Sequence, residues 1–190
     1  MNNGVEVVLA GVSKVALLDD VCLLVLVDKK NQRQLSVLCD QDIYNQVYFR
    51  MSGKQLDWSD SYPEVFASLL KSCDRKLEID IYGMSQGLYQ ASLVDVETGV
   101  SKPIKCSHGV FMAMVTDMPI YVDKDLIDAM GTSFQEGATK ASLPISVIPD
   151  NLIRKGMDEA VASEDYELAS ELRDELNKRK GRGRSSHKRL

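Results

Sequence analysis

Two short amphipathic helices near the C-terminus constrain the fold of this chain more than any other feature. Apolar residues recur at helical spacing on both sides of a polar break formed by Ser163, Glu164 and Asp165. Asp165 is placed to cap the second helix, which Tyr166 opens. The stripe residues are Ile153, Met157, Ala160 and Val161 in the first helix and Ala169, Leu172 and Leu176 in the second. This pattern predicts a helical hairpin.

The predicted hairpin is too small to bury much surface. Helices of this length are marginal in water alone, and each apolar stripe is narrow. We therefore expect the hairpin to bind another polypeptide. The predicted partner-binding residues are Met157, Val161, Tyr166, Ala169, Leu172, Arg173 and Leu176. The alternative is a pair of ordinary amphipathic helices packed on the main domain, which periodicity alone also allows.

The order of residues in the hairpin resembles the UVR motif, the helical hairpin through which the UvrB and UvrC excision-repair proteins meet. That motif reads Met-x-x-Ala-x-x-x-x-Asp-Tyr-Glu-x-Ala-x-x-Leu-Arg-Asp. The matching residues here are Met157, Ala160, Asp165, Tyr166, Glu167, Ala169, Leu172, Arg173 and Asp174. The resemblance implies association with a protein partner and implies no chemistry of its own.

Composition indicates a soluble protein with one main domain. The chain has 190 residues, of which 44% are hydrophobic and 27% charged, enough for a domain of about 130–150 residues plus an appendage. The N-terminal residues lack the basic leader of a secretory signal. The apolar run from Val21 to Val27 is too short to span a bilayer. The four cysteines include no Cys-x-x-Cys pair. We expect a cytoplasmic protein with no membrane contact.

The net charge of −5 hides a strong asymmetry along the chain. Residues 178–190 contain seven Lys or Arg and no acid, whereas residues 1–177 contain sixteen basic and twenty-eight acidic side chains. The basic segment is rich in Gly and Ser and has no apolar period, which predicts a disordered tail. Such a tail can bind a nucleic-acid backbone in a salt-dependent, sequence-independent manner. It can equally be a solvated tail that only aids solubility.

The rest of the chain alternates short strands and short helices, which predicts an α+β arrangement. Strands are expected at 5–9, 21–27, 33–38, 77–81, 89–96, before 105 and at 119–122. Asp40 is placed to cap a helix that ends at Gly53, and Asp123 to cap one that ends at Gly131. A further helix is expected to begin at Ser107. The helix expected from Pro63 should bury Val65, Phe66, Leu69 and Leu70.

This order of elements, and several local strings, resemble the bifunctional nuclease family, whose bacterial members often carry a UVR hairpin after the nuclease-type domain. The resemblance runs from Val5 to about Gly131. It is strongest at Pro119-Ile120-Tyr121-Val122 and at 126–131, Leu-Ile-Asp-Ala-Met-Gly. The predicted fold class is α+β, a compact mixed-sheet domain of that type with a C-terminal α-helical hairpin. The predicted domains are 1–131, a linker at 132–150, the UVR hairpin at 151–178 and a basic disordered tail at 179–190.

The chain departs from the family where the family's chemistry should lie. The family carries Asp-Ala-Arg-Pro-Ser-Asp-Ala at a strand-to-helix turn, and the aligned residues 103–109 here read Pro-Ile-Lys-Cys-Ser-His-Gly. Ser107 is retained, Lys105 keeps the positive charge but lacks the bidentate fork of arginine, and His108 replaces an acid. In a second family string, aligned with 59–65, Glu64 stands at the position of an aspartate.

Lys105, Ser107, His108 and Glu64 are therefore the candidate catalytic residues. A serine at a helix start beside a lysine can hold a phosphate, and an imidazole can act as acid or base near neutral pH. In the structural alternative Ser107 is a helix cap, Lys105 a surface lysine at a strand end and His108 an exposed first-turn residue. No cofactor is evident, and a divalent metal is expected only if the domain is catalytic.

Two functions follow from these residues. In the first, the protein is a divergent family member that acts mainly as a protein-interaction and assembly module through its UVR hairpin, with an association with nucleic acid through its basic tail. In the second, it is an active metal-dependent nuclease of low sequence specificity on DNA and RNA. Whether it is an enzyme stays open at this point. A homo-oligomer is expected in either case, because sheet edges and a half-buried stripe favour symmetric pairing.

Overall fold

The computed structural model describes residues 4–15, 18–28, 30, 33–53, 57–73, 75–134 and 148–185. The chain divides into two compact units. The first unit comprises Met1–Ser85 and Tyr89–Ser142, and the second comprises Gln86–Leu88 and Leu143–Leu190.

Strands and helices follow one another in the order that the sequence predicts. The strands are β1 Gly4–Val15, β2 Leu18–Asp28, β3 Arg33–Cys39, β4 Leu77–Ser85, β5 Leu88–Asp95, β6 Ser101–Lys105, β7 Ile120–Asp123 and β8 Thr132–Ser133. The helices are α1 Gln41–Met51, α2 Tyr62–Ser72, α3 Cys106–Thr116, α4 Lys124–Met130, α5 Asp150–Ala162 and α6 Tyr166–Ser185. The predicted α+β fold class is confirmed.

The described strands form one mixed sheet in the order β6-β5-β4-β7-β1-β2-β3-β8. The pairing of β4 with β7 is parallel, whereas β1 with β2, β1 with β7, β2 with β3 and β5 with β6 are antiparallel. The chain reaches the centre of the sheet twice, first in β1 and again in β7. The ends of β3 and β6 lead directly into α1 and α3, and these two connections carry the candidate site.

The first unit has its core between this sheet and the helices that follow β3 and β6. Every residue from Val21 to Val27 in β2 is buried, which explains the continuous apolar run of that strand. Leu24 and Leu26 belong to one apolar cluster with Val47 of α1 and Val110 of α3. The packed helices therefore fix where the first turns of α1 and α3 lie.

β1 is longer than the sequence predicts. The predicted strand ends at Leu9, but β1 continues to Val15 and pairs with β2 along this extension. The pairing register shifts between Leu9 and Gly11, so the alternation of inward and outward side chains is interrupted there. A prediction based on periodicity therefore misses the second half of the strand.

The prediction that α2 buries its large apolar residues is wrong. Pro63 and Ala67 are the buried residues of this helix. Leu70 is half-buried, and the remaining large apolar side chains of the expected stripe are exposed, namely Val65, Phe66 and Leu69. The helix is rotated about its axis relative to the predicted orientation. The side with the small Ala67 packs inward, and Arg50 of α1 holds Glu64 by an ion pair.

The second unit contains the predicted helical hairpin. Ile153 of α5 and Leu172 and Leu176 of α6 are buried in one apolar cluster with Ile148. The backbone N–H of Leu168 donates a 3.1 Å hydrogen bond to Oδ1 of Asp165, which confirms the predicted cap. Val161, a stripe residue and a predicted partner-binding residue, is exposed because it lies in the last turn of α5 beside the connection to α6.

The C-terminal boundaries differ from the prediction. α6 continues past residue 178 to Ser185, so the first part of the predicted disordered tail is helical. Arg179 anchors this extension, because its guanidinium donates to Asp150 at 2.7 Å, to Glu175 at 2.9 Å and to the Ile148 carbonyl at 2.6 Å. Residues 186–190 of the predicted tail lie outside the described residues.

The predicted linker at 132–150 is also shorter than expected. It begins with β8, which pairs with β3, and its last residue, Asp150, already belongs to α5. Residues 135–147 lie outside the described residues. None of the helices in the described part of the chain is long and apolar enough to cross a membrane.

Candidate functional site

Lys105, His108 and Asp40 meet at the point where two strands lead into helices. Asp40 lies between β3 and α1, Lys105 ends β6, and His108 is in the first turn of α3. Nζ of Lys105 donates to both carboxylate oxygens of Asp40, at 2.9 and 2.8 Å. Nε2 of His108 lies 3.6 Å from Oδ2 of the same carboxylate. All three side chains are about half exposed, so the cluster faces solvent.

The electrostatics of this cluster are dominated by the Lys105–Asp40 pair. The hydrogen bond from Lys105 holds the pKa of Asp40 below its ordinary value, and His108 adds to the effect. Asp40 is therefore ionised at neutral pH and compensates one positive charge. A phosphate arriving at the start of α3 has to displace this carboxylate or share the lysine with it.

Asp40 itself is absent from the candidate residues that the sequence suggests. It stands at the expected N-cap position of α1, but its side chain makes no capping hydrogen bond. The carboxylate turns to Lys105, which lies 65 positions away in the chain. Spacing within the sequence carries no signal for a contact of this kind. β6 and β3 are separated by five strands in the sheet, and their ends meet where the helices that follow them, α3 and α1, pack together.

Ser107 is buried beneath this cluster. It is 1% exposed, and its Oγ has no hydrogen-bond partner within the described part of the chain. The N-cap of α3 is Lys105, so Ser107 does not fill the capping role of the structural alternative. The neighbouring thiol of Cys106 is also buried, and burial raises its pKa to about 12. Cys106 is therefore a neutral thiol at physiological pH and no nucleophile.

Glu64 lies in a separate group of polar side chains between α1 and α2. Nη2 and Nε of Arg50 donate to Glu64 Oε1 at 2.5 and 3.0 Å, and the Ser61 hydroxyl donates to Oε2. Burial alone raises the pKa of Glu64, but the hydrogen bonds from Ser61 and Arg50 outweigh it and lower the pKa. The structure thus brings Lys105 and His108 together and places Glu64 in a different set of contacts.

Arg50 is the second residue that the sequence does not reveal. Its guanidinium lies 4.0 Å from the ring centroid of Trp58 and 5.1 Å from that of Phe111. Its side chain is 10% exposed. Through its contacts with Glu64 and Phe111, Arg50 of α1 connects this helix to α2 and α3. An arginine that is ion-paired and stacked on aromatic rings in this way has a structural role.

A cavity of about 150 Å³ lies between α2 and α3. His108 is one of its lining residues, and the aromatic side chains of Tyr62, Phe66 and Phe111 form much of the wall. A space of this size holds one ring or a branched aliphatic group. The imidazole therefore lies between a solvent-facing ion pair and a small apolar cavity.

The donor set of the site does not suit a zinc ion. Asp40 and His108 offer one carboxylate and one imidazole, and the ammonium group of Lys105 already occupies the carboxylate. Across the described ranges, no three His, Cys, Asp or Glu residues lie together in a geometry that could hold a metal ion. Structural and catalytic zinc sites generally need three or four such ligands.

The predicted partner-binding residues of the hairpin fall into three groups. Val161 and Tyr166, on either side of the turn, are 52% and 66% exposed, and Arg173 is also exposed. Met157 and Ala169 are half-buried. Leu172 and Leu176 are buried in the core of the hairpin itself.

The two units correspond to two known sequence families. Residues 24–135 match the model of the bifunctional nuclease domain, and residues 151–180 match the model of the UvrB/uvrC motif, abbreviated UVR. None of the curated proteins matches the chain significantly. The domain match covers most of the chain, from β2 to just beyond β8, and the motif match covers α5 and most of α6. The chain therefore belongs to the bifunctional nuclease domain family and carries a UVR motif after that domain.

Proposed function

We propose that this protein acts mainly as an assembly module, in which the UVR hairpin binds a protein partner through the residues around its turn. The observation that carries the proposal is the exposure of Val161 and Tyr166. The core of the hairpin is already closed by Ile153, Leu172 and Leu176, so the two exposed side chains are not needed to fold it. Adjacent exposed apolar residues of this kind are typical of binding sites.

A single face of α6 extends this surface. Tyr166, Ala169 and Arg173 are spaced three and four residues apart and therefore lie on one side of the helix. Aromatic and arginine side chains contribute much of the binding energy in protein interfaces. The partner that fits is a helix with an apolar stripe and a carboxylate within reach of Arg173.

The experiment is quantitative affinity purification of the full chain from its own cells. Val161→Asp and Tyr166→Ala should lose the partner that wild type retains. The matched controls are Val100→Asp and Tyr82→Ala, which alter side chains of similar exposure in the first unit. Both controls should retain the partner. Equal recovery of every partner by all four variants would refute the proposal.

An active nuclease is the second candidate, and the cluster at the start of α3 favours it. Lys105 can hold a phosphate and His108 can transfer a proton, both beside Asp40. A nuclease assay on purified protein, with added magnesium and with chelator, tests this candidate. Activity that disappears in the Lys105→Ala/His108→Ala double variant would support it. Activity unchanged by that variant would remove this site from consideration.

Association with nucleic acid and residence in the cytoplasm complete the proposal. The basic residues 178–190 supply the charge for a salt-dependent contact with phosphates. A truncation before residue 180 should abolish retention of single-stranded DNA at low salt, and unchanged retention would contradict the contact. The buried cysteines Cys22 and Cys106 are in the reduced state, which is in keeping with a reducing compartment.

A further inference from the structure

The exposed side of α2 carries an apolar stripe, of which Tyr62 and Phe66 also border the cavity next to α3. Tyr62, Val65, Phe66 and Leu69 are 77%, 47%, 43% and 59% exposed. Their spacing of three to four residues places them along one side of an 11-residue helix. We define these four residues as the α2 stripe.

Contacts on the opposite side of α2 hold the helix in place. Pro63 and Ala67 pack inward, and Glu64 is held by Arg50 of α1. The rotation that exposes the stripe is thus fixed from the other side of the helix. Four large apolar residues in a row on a well-anchored helix form the kind of surface that soluble proteins usually cover with another polypeptide.

We propose that the α2 stripe pairs with the same stripe of a second copy of this chain, with the two helices antiparallel about a two-fold axis between Val65 and Phe66. In this register Val65 of each copy faces Phe66 of the other. Tyr62 faces Leu69 at both ends, so each aromatic ring meets an aliphatic side chain. One placement of the axis thus pairs all four residues of the stripe.

The same register also matches charges. Asp60, exposed just before α2, faces Lys71, exposed in its last turn. The symmetry produces this pair twice. Lys71 has a 3.3 Å contact with Asp117, and both side chains of that pair are more than half exposed, so it offers little resistance to a new partner. Antiparallel packing also places the two helix macrodipoles in a favourable arrangement. A second copy is therefore the occupant that both the apolar and the charged residues fit.

Analytical ultracentrifugation of the full chain tests the pairing. Wild type should sediment as a dimer, and Val65→Asp should sediment as a monomer because it places two carboxylates at the axis. Val100→Asp, which adds the same charge to a valine of similar exposure outside α2, should remain a dimer. Circular dichroism should show that all three are folded. A monomeric wild type would overturn the proposal, and the α2 stripe would then be a binding surface for a different protein. A dimer that survives Val65→Asp and dissociates with Val161→Asp would also overturn it, since the hairpin would then make the contact.

Charge reversal tests the register. Asp60→Lys and Lys71→Asp should each weaken the dimer, and the double variant should restore it, because the reversed charges again face each other. A short bismaleimide cross-linker provides an independent readout. It should join two copies through Val65→Cys but not through the native Cys73, whose copies would lie about 22 Å apart along an antiparallel pair. Efficient joining through Cys73 in wild type, or a double variant weaker than either single one, would overturn the antiparallel arrangement.

Discussion

Nζ of Lys105 lies 2.8 Å from Oδ2 of Asp40, and this contact joins the end of β6 to the start of α1. Its consequence is that the lysine at the predicted site is already compensated by a carboxylate. Any phosphate binding or proton transfer at this turn therefore has to involve Asp40.

Asp40→Asn should reduce stability slightly and in a pH-dependent way. The folded protein holds the pKa of Asp40 below its ordinary value, so the stabilisation exists above about pH 4 and is lost as the pH falls through the lowered pKa. Because the pair is about half exposed, we expect a loss of no more than about 1 kcal/mol at pH 7. Urea unfolding at pH 7 and in acid measures it. A difference between variant and wild type that grows in acid would contradict the assignment.

Glu64→Gln should be clearly more destabilising than Asp40→Asn. It leaves the guanidinium of Arg50, which is 10% exposed, without its carboxylate partner. Breaking an ion pair that is largely shielded from water costs about 2–3 kcal/mol. Urea unfolding at neutral pH measures this cost. Glu97→Gln, an exposed change in the turn between β5 and β6, should have no measurable effect, and an equal loss in both variants would contradict the argument.

Leu172→Ala should unfold the hairpin and leave the first unit folded. Leu172 is 6% exposed in the small apolar cluster of the second unit, which has few other buried residues to compensate for a cavity. The expected cost of about 2–4 kcal/mol exceeds what a two-helix unit can lose. Far-UV circular dichroism should report lost helix, while the fluorescence of Trp58 should stay unchanged. A hairpin of full helicity at 25 °C would contradict this prediction.

Cys106 should resist alkylation in the native protein. Its thiol is buried, and burial raises its pKa to about 12, so almost no thiolate is available. The exposed Cys73 should react with iodoacetamide readily at pH 8. Mass spectrometry of peptides after timed labelling separates the two. Equal labelling of both thiols before unfolding would show that the start of α3 is open to solvent.

Much of the fold can be predicted from local patterns, because those patterns depend on burial and on hydrogen bonds between residues that are close in the sequence. The apolar run of β2, the alternation of Ile79 and Ile81 in β4, and the cap at Asp123 each predict an element that the structure contains. The hairpin is predictable for the same reason. Its connection also shows the expected cap at Asp165.

What local patterns do not determine is how an element is oriented and which distant residue it meets. The spacing in α2 predicts a helix but not its rotation, which depends on Arg50 and on the small Ala67. The contact of Asp40 with Lys105 depends on how α1 and α3 pack together, since β3 and β6 are separated by five strands in the sheet. The helix that continues beyond residue 178 depends on the contacts of Arg179 with Asp150, which composition cannot indicate.

The most direct test of the proposed assembly role is the affinity of the full chain for the protein that it retains in affinity purification. Isothermal titration calorimetry should give a dissociation constant at least tenfold higher for Val161→Asp than for wild type, and an unchanged constant for Val100→Asp. That result would place the binding surface at the turn of the UVR hairpin. Equal affinities of all three proteins would contradict the account.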